Sequence, residues 1–157
     1  MEIIWPERYS QKNTAVHVSN EIEIPAPPEV LWAWLIRAPL WPQWFPTVSR
    51  VIIEGGGREL EPGTRFSWRI FGATLNSVVE EFVPAERLAW SAKFEGVDAY
   101  HAWLIERRAG GCRVLTEENQ KGWLARLNFT LRPSNVRYQH FLWLEALKKK
   151  AAEGYPP

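Results

Sequence analysis

Residues 98–122 read DAYHAWLIERRAGGCRVLTEENQKG. Two strand-like runs, 98–108 and 112–122, flank Gly110-Gly111, a dipeptide suited to a two-residue hairpin turn. With that turn, Ala109 lies opposite Cys112, Ile105 opposite Thr116, Trp103 opposite Glu118 and His101 opposite Gln120, all on one face. The other face holds Ala102, Leu104 and Glu106 against Leu115, Glu117 and Asn119. A three-residue loop places Glu117 opposite Trp103 instead, because a slip of one residue exchanges the faces.

The same hairpin chemistry extends toward the N-terminus. Runs at 48–54, 64–70, 73–83 and 87–94 are separated by Gly55-Gly56-Gly57, Pro62-Gly63, Phe71-Gly72 and Pro84-Ala85, with Gly96 before the next run. No helical crossover of a dozen residues separates them, so the sheet is antiparallel. Counting around Phe71-Gly72 sets Ile70 opposite Ala73, Trp68 opposite Leu75 and Phe66 opposite Ser77. Ahead of these, Val16, Val18, Asn20, Ile22 and Ile24 alternate with His17, Ser19, Glu21 and Glu23, the period of a strand with one wet face. Pro25 ends it. Pro28 and Glu29 then suit a first helical turn, predicting a helix over 28–37. Pro39, Pro42 and Pro46 prevent a long continuation and leave a short helical turn over 40–45 carrying Trp41 and Trp44.

The C-terminal part differs in kind. Ser134 is a candidate N-cap for an amphipathic helix over 135–153, with Val136, His140, Phe141, Leu144 and Leu147 on its inner face and Lys148, Lys149 and Lys150 complementing its dipole. The span between Gly122 and Pro133 is assigned no element. The fold expected is α+β: an antiparallel sheet of about seven strands, two short helices after strand one, and a long helix covering the apolar face. Residues 1–15 form an irregular lead-in, and 16–153 one domain.

Bulk properties narrow the function. At 157 residues there is material for one sizeable core. The 19 basic and 18 acidic residues are interspersed, leaving a net charge of +1 and no footprint for nucleic acid. Cys112 is the sole cysteine, which excludes an internal disulfide and any multi-cysteine metal site. The N-terminus is charged where a secretory signal needs an apolar stretch, and no apolar run can span a bilayer, so the expectation is a cytoplasmic protein without membrane insertion. Ten Trp residues exceed what core packing alone calls for.

Several local segments converge on one family. They are IPAPPEVLW at 24–32, WPQW at 41–44 followed by Pro46 and Val48, LEPGT at 60–64, FVPAERLAW at 82–90, His101-Ala-Trp103, and GCRVLTEE at 111–118 with Gly122. Together, over about residues 16–150, they resemble the START-like or SRPBCC superfamily, of the polyketide cyclase/dehydrase and lipid-transport type. The resemblance implies a helix-grip fold, as in START and Bet v1-like proteins, with a deep cavity between the curved sheet and the C-terminal helix. Members hold lipids, polyketides, hormones or other hydrophobic molecules, and many bind without catalysing, so the fold does not by itself settle the function.

The expected concave wall carries Phe66, Trp68, Trp90, His101 and Trp103, with Phe141 and Leu144 facing it from the helix. Glu118 is its polar contact if it points inward, where burial demands a partner; the alternative places it at the mouth or on the wet face. His101 and Glu118 are the candidate acid/base residues. No metal ligand set is expected, because His17 and His140 lack the paired spacing of a helical metal site. No cofactor is expected either, since no dinucleotide fingerprint, P-loop or nucleophile elbow occurs. Three functions are compatible with these residues. The first is a binder or carrier of a small hydrophobic molecule; the second a cyclase, aromatase or dehydratase of the polyketide type; the third a protein-interaction module with an exposed apolar patch around Trp41 and Trp44.

Overall fold

The computed structural model describes residues 2–157. Strand β1 (Val16–Ile24) is followed by helices α1 (Pro28–Ile36) and α2 (Trp41–Trp44), with a three-residue 3-10 turn between them. Six strands come next: β2 (Val48–Ile53), β3 (Arg65–Ile70), β4 (Ala73–Val83), β5 (Arg87–Phe94), β6 (Val97–Arg108) and β7 (Gly111–Lys121). Helices α3 (Trp123–Leu131) and α4 (Asn135–Ala152) close the chain. The sheet is antiparallel throughout, in the order β1-β7-β6-β5-β4-β3-β2. Register shifts in β2 against β3 and in β4 against β5 add local twist and bend it. This is the helix-grip architecture, with α4 lying in the concave side of the sheet.

The β3–β4 register is the expected one, with Trp68 opposite Leu75 and Phe66 opposite Ser77. The β6–β7 register is corrected. Arg108 pairs with Gly111, so the turn is Ala109-Gly110, and Thr116 stands opposite Trp103 while Glu118 stands opposite His101. Gly110 has the positive φ of a turn glycine, +82°. Gly111 is glycine for another reason: a Cβ there would lie 2.2 Å from the Ile24 carbonyl oxygen on the neighbouring strand. The difference is two residues, which preserves the faces, so His101, Trp103 and Glu118 still point the same way.

Aromatic rings dominate the concave core. Trp41 is fully buried and meets Phe66, Trp68 and Trp143 edge-to-face at centroid distances of 5.2–6.0 Å, while its indole N–H donates to the Leu35 carbonyl. Trp44 is buried as well, so the expected exposed patch around Trp41 and Trp44 does not exist. The short helices are instead a plug that fills the concave side next to α4.

The convex face is covered too. The lead-in folds back in two 3-10 turns and inserts Ile3 and Tyr9 against Ala89, Tyr100, Ala102 and Leu104. Tyr9 donates to Asp98, and the Asn119 side chain donates to the Tyr9 carbonyl. From residue 2 on, the lead-in is therefore packed against the domain through Ile3, Trp5 and Tyr9, and β6 is buried on both faces along most of its length. Helix α3 is the element that sequence reading missed. It springs from Gly122, whose φ of +110° and closeness to the Gly96 carbonyl leave no room for a Cβ. Its first backbone amides, from Leu124 and Ala125, donate to that same carbonyl. Ala125 is its only fully buried residue; Trp123, Leu127 and Leu131 are exposed.

Candidate functional site

Between the concave sheet, α3 and the first half of α4 lies a cavity of about 620 Å³. That is room for a small molecule. Its sheet wall comes from Trp68 on β3, Leu75 on β4, Trp90 and Ala92 on β5 and His101 on β6, with Glu118 and Gln120 on β7. Its helical wall comes from Phe129 of α3 and from Val136, Gln139, His140 and Trp143 of α4. The mouth is rimmed by Phe71, Phe94 and Leu131, large apolar side chains that are substantially exposed. A larger depression of about 760 Å³ is an open groove lined by charged residues such as Arg8, Glu54, Arg65, Glu80 and Lys93. It lacks a buried titratable group, so the smaller cavity is the candidate site.

Of the residues expected on the wall, Trp68, Trp90, His101 and Glu118 line this cavity. Phe66, Trp103 and Leu144 are buried in the core instead of forming its lining. Phe141 is corrected: it is 48% exposed and points away from the sheet. The inward side chains of α4 are Val136, His140, Trp143, Leu144, Leu147 and Ala151, a stripe at helical spacing that leaves position 141 outside. His140 and Trp143 are thus site residues that sequence reading did not assign. An apolar face defined through 136, 140, 144 and 147 already contained the signal for position 143.

The floor of the cavity is polar and buried. Glu118 points inward, with one carboxylate oxygen, Oε2, 3.1 Å from His140 Nε2 and 3.5 Å from His101 Nδ1. The other, Oε1, accepts from the Gln120 side-chain amide. The rings of His101 and His140 are stacked, with planes 6° apart and centroids at 4.5 Å. Below them, His101 Nε2 lies 2.7 Å from Thr116 Oγ1, whose hydroxyl donates to the Ala102 carbonyl at 3.2 Å. A hydroxyl has one proton, so Thr116 accepts from Nε2–H and the unprotonated nitrogen of His101 is Nδ1. Burial, aided by the charge of His140 and opposed by that of Glu118, pushes His101 down to about 3. Burial works to raise the Glu118 carboxyl, but the His140 hydrogen bond, the imidazole charges and the Gln120 amide outweigh it and hold it at about 2. At neutral pH the floor therefore presents a neutral His101 beside an ionised Glu118.

Around this cluster the indole N–H groups of Trp90, Trp103 and Trp143 are buried with no hydrogen-bond partner among the described residues. Their neighbours are aromatic rings: Trp143 meets Trp103 and His101 edge-to-face at 5.3 Å, and Trp90 lies 4.9 Å from His101.

Residues 15–137 match the family described as polyketide cyclase/dehydrase and lipid transport. The chain belongs to that family. Among solved structures, a hypothetical protein of Helicobacter pylori is similar at 27% identity, with 96% of each chain covered and a TM-score of 0.88. An aromatase/cyclase of Streptomyces sp. R1128 superposes with a TM-score of 0.70 at 16% identity, covering 87% of this chain and 93% of that one. A START superfamily protein of Mycobacterium smegmatis does so at 0.66 and 12% identity, covering 87% and 97%. The last two show the shared fold alone. No curated protein matches the sequence. No helix among the described residues is long and apolar enough to cross a membrane.

Proposed function

We propose that the chain binds a small, predominantly apolar molecule in the cavity, with its polar end against His101, Glu118 and His140. The observation that carries this reading is the pairing of an aromatic wall with a buried polar floor in one cavity of about 620 Å³. Such a site gains affinity from apolar burial, roughly 25 cal/mol per Å², and orientation from a few convergent polar groups. Membership of a lipid-transport and cyclase family supports it. Trp90 and Trp143 stand on the wall, so a bound ligand reports itself through their fluorescence. Titration with apolar candidates is expected to quench it saturably, and native mass spectrometry of the purified protein to show a bound small molecule. Absence of any saturable response across lipids, aromatic polyketides and fatty acids would overturn the proposal.

A second reading is acid/base chemistry of the cyclase, aromatase or dehydratase type, and one observation favours it. The Nδ1 lone pair of His101 and the Glu118 carboxylate are two proton acceptors 3.5 Å apart on the floor of a cavity with largely apolar walls, where a substrate ketone can lie beside them. On this reading Glu118→Gln abolishes product formation from a poly-β-ketone substrate while the far-ultraviolet circular dichroism is unchanged. Equal rates in the variant would leave the binding reading alone.

A further inference from the structure

The cluster on the cavity floor has a feature that ligand binding does not require. Glu118 Oε2, His101 Nδ1 and His140 Nε2 come from β7, β6 and α4, and one donor atom from each lies within 4.8 Å of the others. We propose that these three residues form a binding site for a divalent transition metal of the zinc or iron(II) class, with its open coordination positions facing the cavity.

The geometry is close to what such an ion needs. Bonds of about 2.0–2.1 Å in a tetrahedral arrangement put neighbouring ligand atoms about 3.4 Å apart. The carboxylate oxygen stands 3.5 Å from one imidazole nitrogen and 3.1 Å from the other. The two rings face each other in parallel. Lone pairs of parallel rings lie in parallel planes and do not converge, so an ion is held once His140 turns about its final torsion and brings Nε2 toward Oε2 and His101 Nδ1.

The surrounding hydrogen bonds prepare the ligand atoms. Thr116 takes the Nε2 proton of His101 and hands its own to the Ala102 carbonyl, so Nδ1 is left as a lone pair aimed at a carboxylate. That lone pair and Glu118 Oε2, 3.5 Å apart and buried, are two electron-pair donors that a cation can bridge. Gln120 occupies the other carboxylate oxygen and leaves Oε2 for the shared position. His140 Nε2 donates to Glu118, and when an ion takes that place the ring carries its proton on Nδ1, which has no partner among the described residues and so gives up no contact. A metal-bound imidazole whose second nitrogen is held by a hydrogen bond is a recurring outer-shell arrangement. Two imidazoles and one carboxylate suit zinc, iron(II), cobalt and nickel better than calcium or magnesium, which favour oxygen-only sets. The remaining positions open onto apolar walls, so a molecule entering the cavity with a ketone, enol or carboxylate oxygen would complete the shell.

The site stands independently of which molecule fills the cavity, and its test uses metal alone. Protein freed of metal with a chelator and titrated with Co²⁺ is expected to bind one equivalent with visible absorption of low symmetry, and Zn²⁺ to displace it. Glu118→Gln keeps the shape of the side chain and is expected to weaken Zn²⁺ at least tenfold; Thr116→Val is expected to weaken it about 10- to 100-fold through His101. His17→Ala, on the opposite face, leaves it unchanged. If Glu118→Gln unfolds, ¹⁵N spectra of the wild-type imidazoles decide: Zn²⁺ shifts His101 Nδ1 and His140 Nε2. Failure of the wild-type chain to bind Zn²⁺ or Co²⁺, binding that survives Glu118→Gln, or a shift confined to His17 each overturns the proposal. Quenching by an apolar ligand without metal binding would leave the binding reading intact.

Discussion

The imidazoles of His101 and His140 lie face to face, 4.5 Å apart, although one stands on the sheet and the other on the C-terminal helix. Both reach the same oxygen of Glu118, so the carboxylate is the polar joint between β6–β7 and α4 at the base of an otherwise apolar interface. A charge held there is costly to strand, because removing one partner of a buried pair leaves the other without its donor.

His140→Leu is therefore expected to lower stability by about 2–4 kcal/mol, measured by urea denaturation, since Glu118 keeps Gln120 alone as a donor. Replacing Glu118 as well, in His140→Leu with Glu118→Leu, removes the stranded charge and is expected to recover much of that loss. Additive losses in the double variant would show that the carboxylate is solvated and not tied to α4.

Ala92 is a small residue on the cavity wall beside Trp90. Ala92→Phe projects a ring into existing space, so overpacking strain is limited and the change in stability is expected to stay within about 1.5 kcal/mol. Binding of an apolar fluorescent probe such as 8-anilinonaphthalene-1-sulfonate is expected to fall at least tenfold, about 1.4 kcal/mol. Undiminished probe binding would place apolar recognition elsewhere on the molecule.

Much of this was legible in the sequence, and the failures have separate physical causes. The Phe71-Gly72 hairpin yields its register because Phe66 and Trp68 alternate with polar residues right up to the turn. In the β6–β7 hairpin two adjacent glycines mislead. Gly110 serves the turn, whereas Gly111 makes way for the Ile24 carbonyl of β1, a tertiary demand invisible to local reading. The site survived the error because a two-residue shift keeps side chains on their face. Helix α3 escaped because Trp123, Leu127 and Leu131 sit on its exposed side, so its pattern does not announce a buried stripe. His140 escaped because its partners lie on two strands, and ligand spacing along a chain reveals only sites carried by a single element.

The lead-in yields a prediction at alkaline pH. Tyr9 and Tyr100 are buried and stacked at 5.2 Å on the convex face. Burial raises both phenols above their ordinary value near 10, reinforced for Tyr9 by its bond to Asp98 and for Tyr100 by the charges of Glu81 and Glu80. The folded state thus keeps protons that the unfolded chain gives up, so stability present below pH 10 declines as the pH rises beyond it. The urea midpoint is expected to fall steadily above about pH 10, with a shallower slope in Tyr9→Phe and in Tyr100→Phe. Parallel slopes in wild type and both variants would mean that the lead-in does not remain docked.

The last prediction concerns the mouth. Phe71 has a φ of +50°, in the left-handed region that a bulky side chain avoids, and Gly72 follows at +82°. Two successive positive φ values suit Asn-Gly far better than Phe-Gly in a two-residue hairpin turn. The ring gains little from the fold in return, being 66% exposed. It does line the entrance of the cavity, together with Phe94 and Leu131. Strain of this kind, about 1–3 kcal/mol, is retained where function uses it. Phe71→Asn is accordingly expected to raise stability by about 1 kcal/mol while weakening the binding of apolar ligands and speeding their release. Thermal denaturation and stopped-flow quenching of the wall tryptophans measure the two effects separately. A variant that is both more stable and an undiminished binder would show that the strained ring plays no part in holding the ligand.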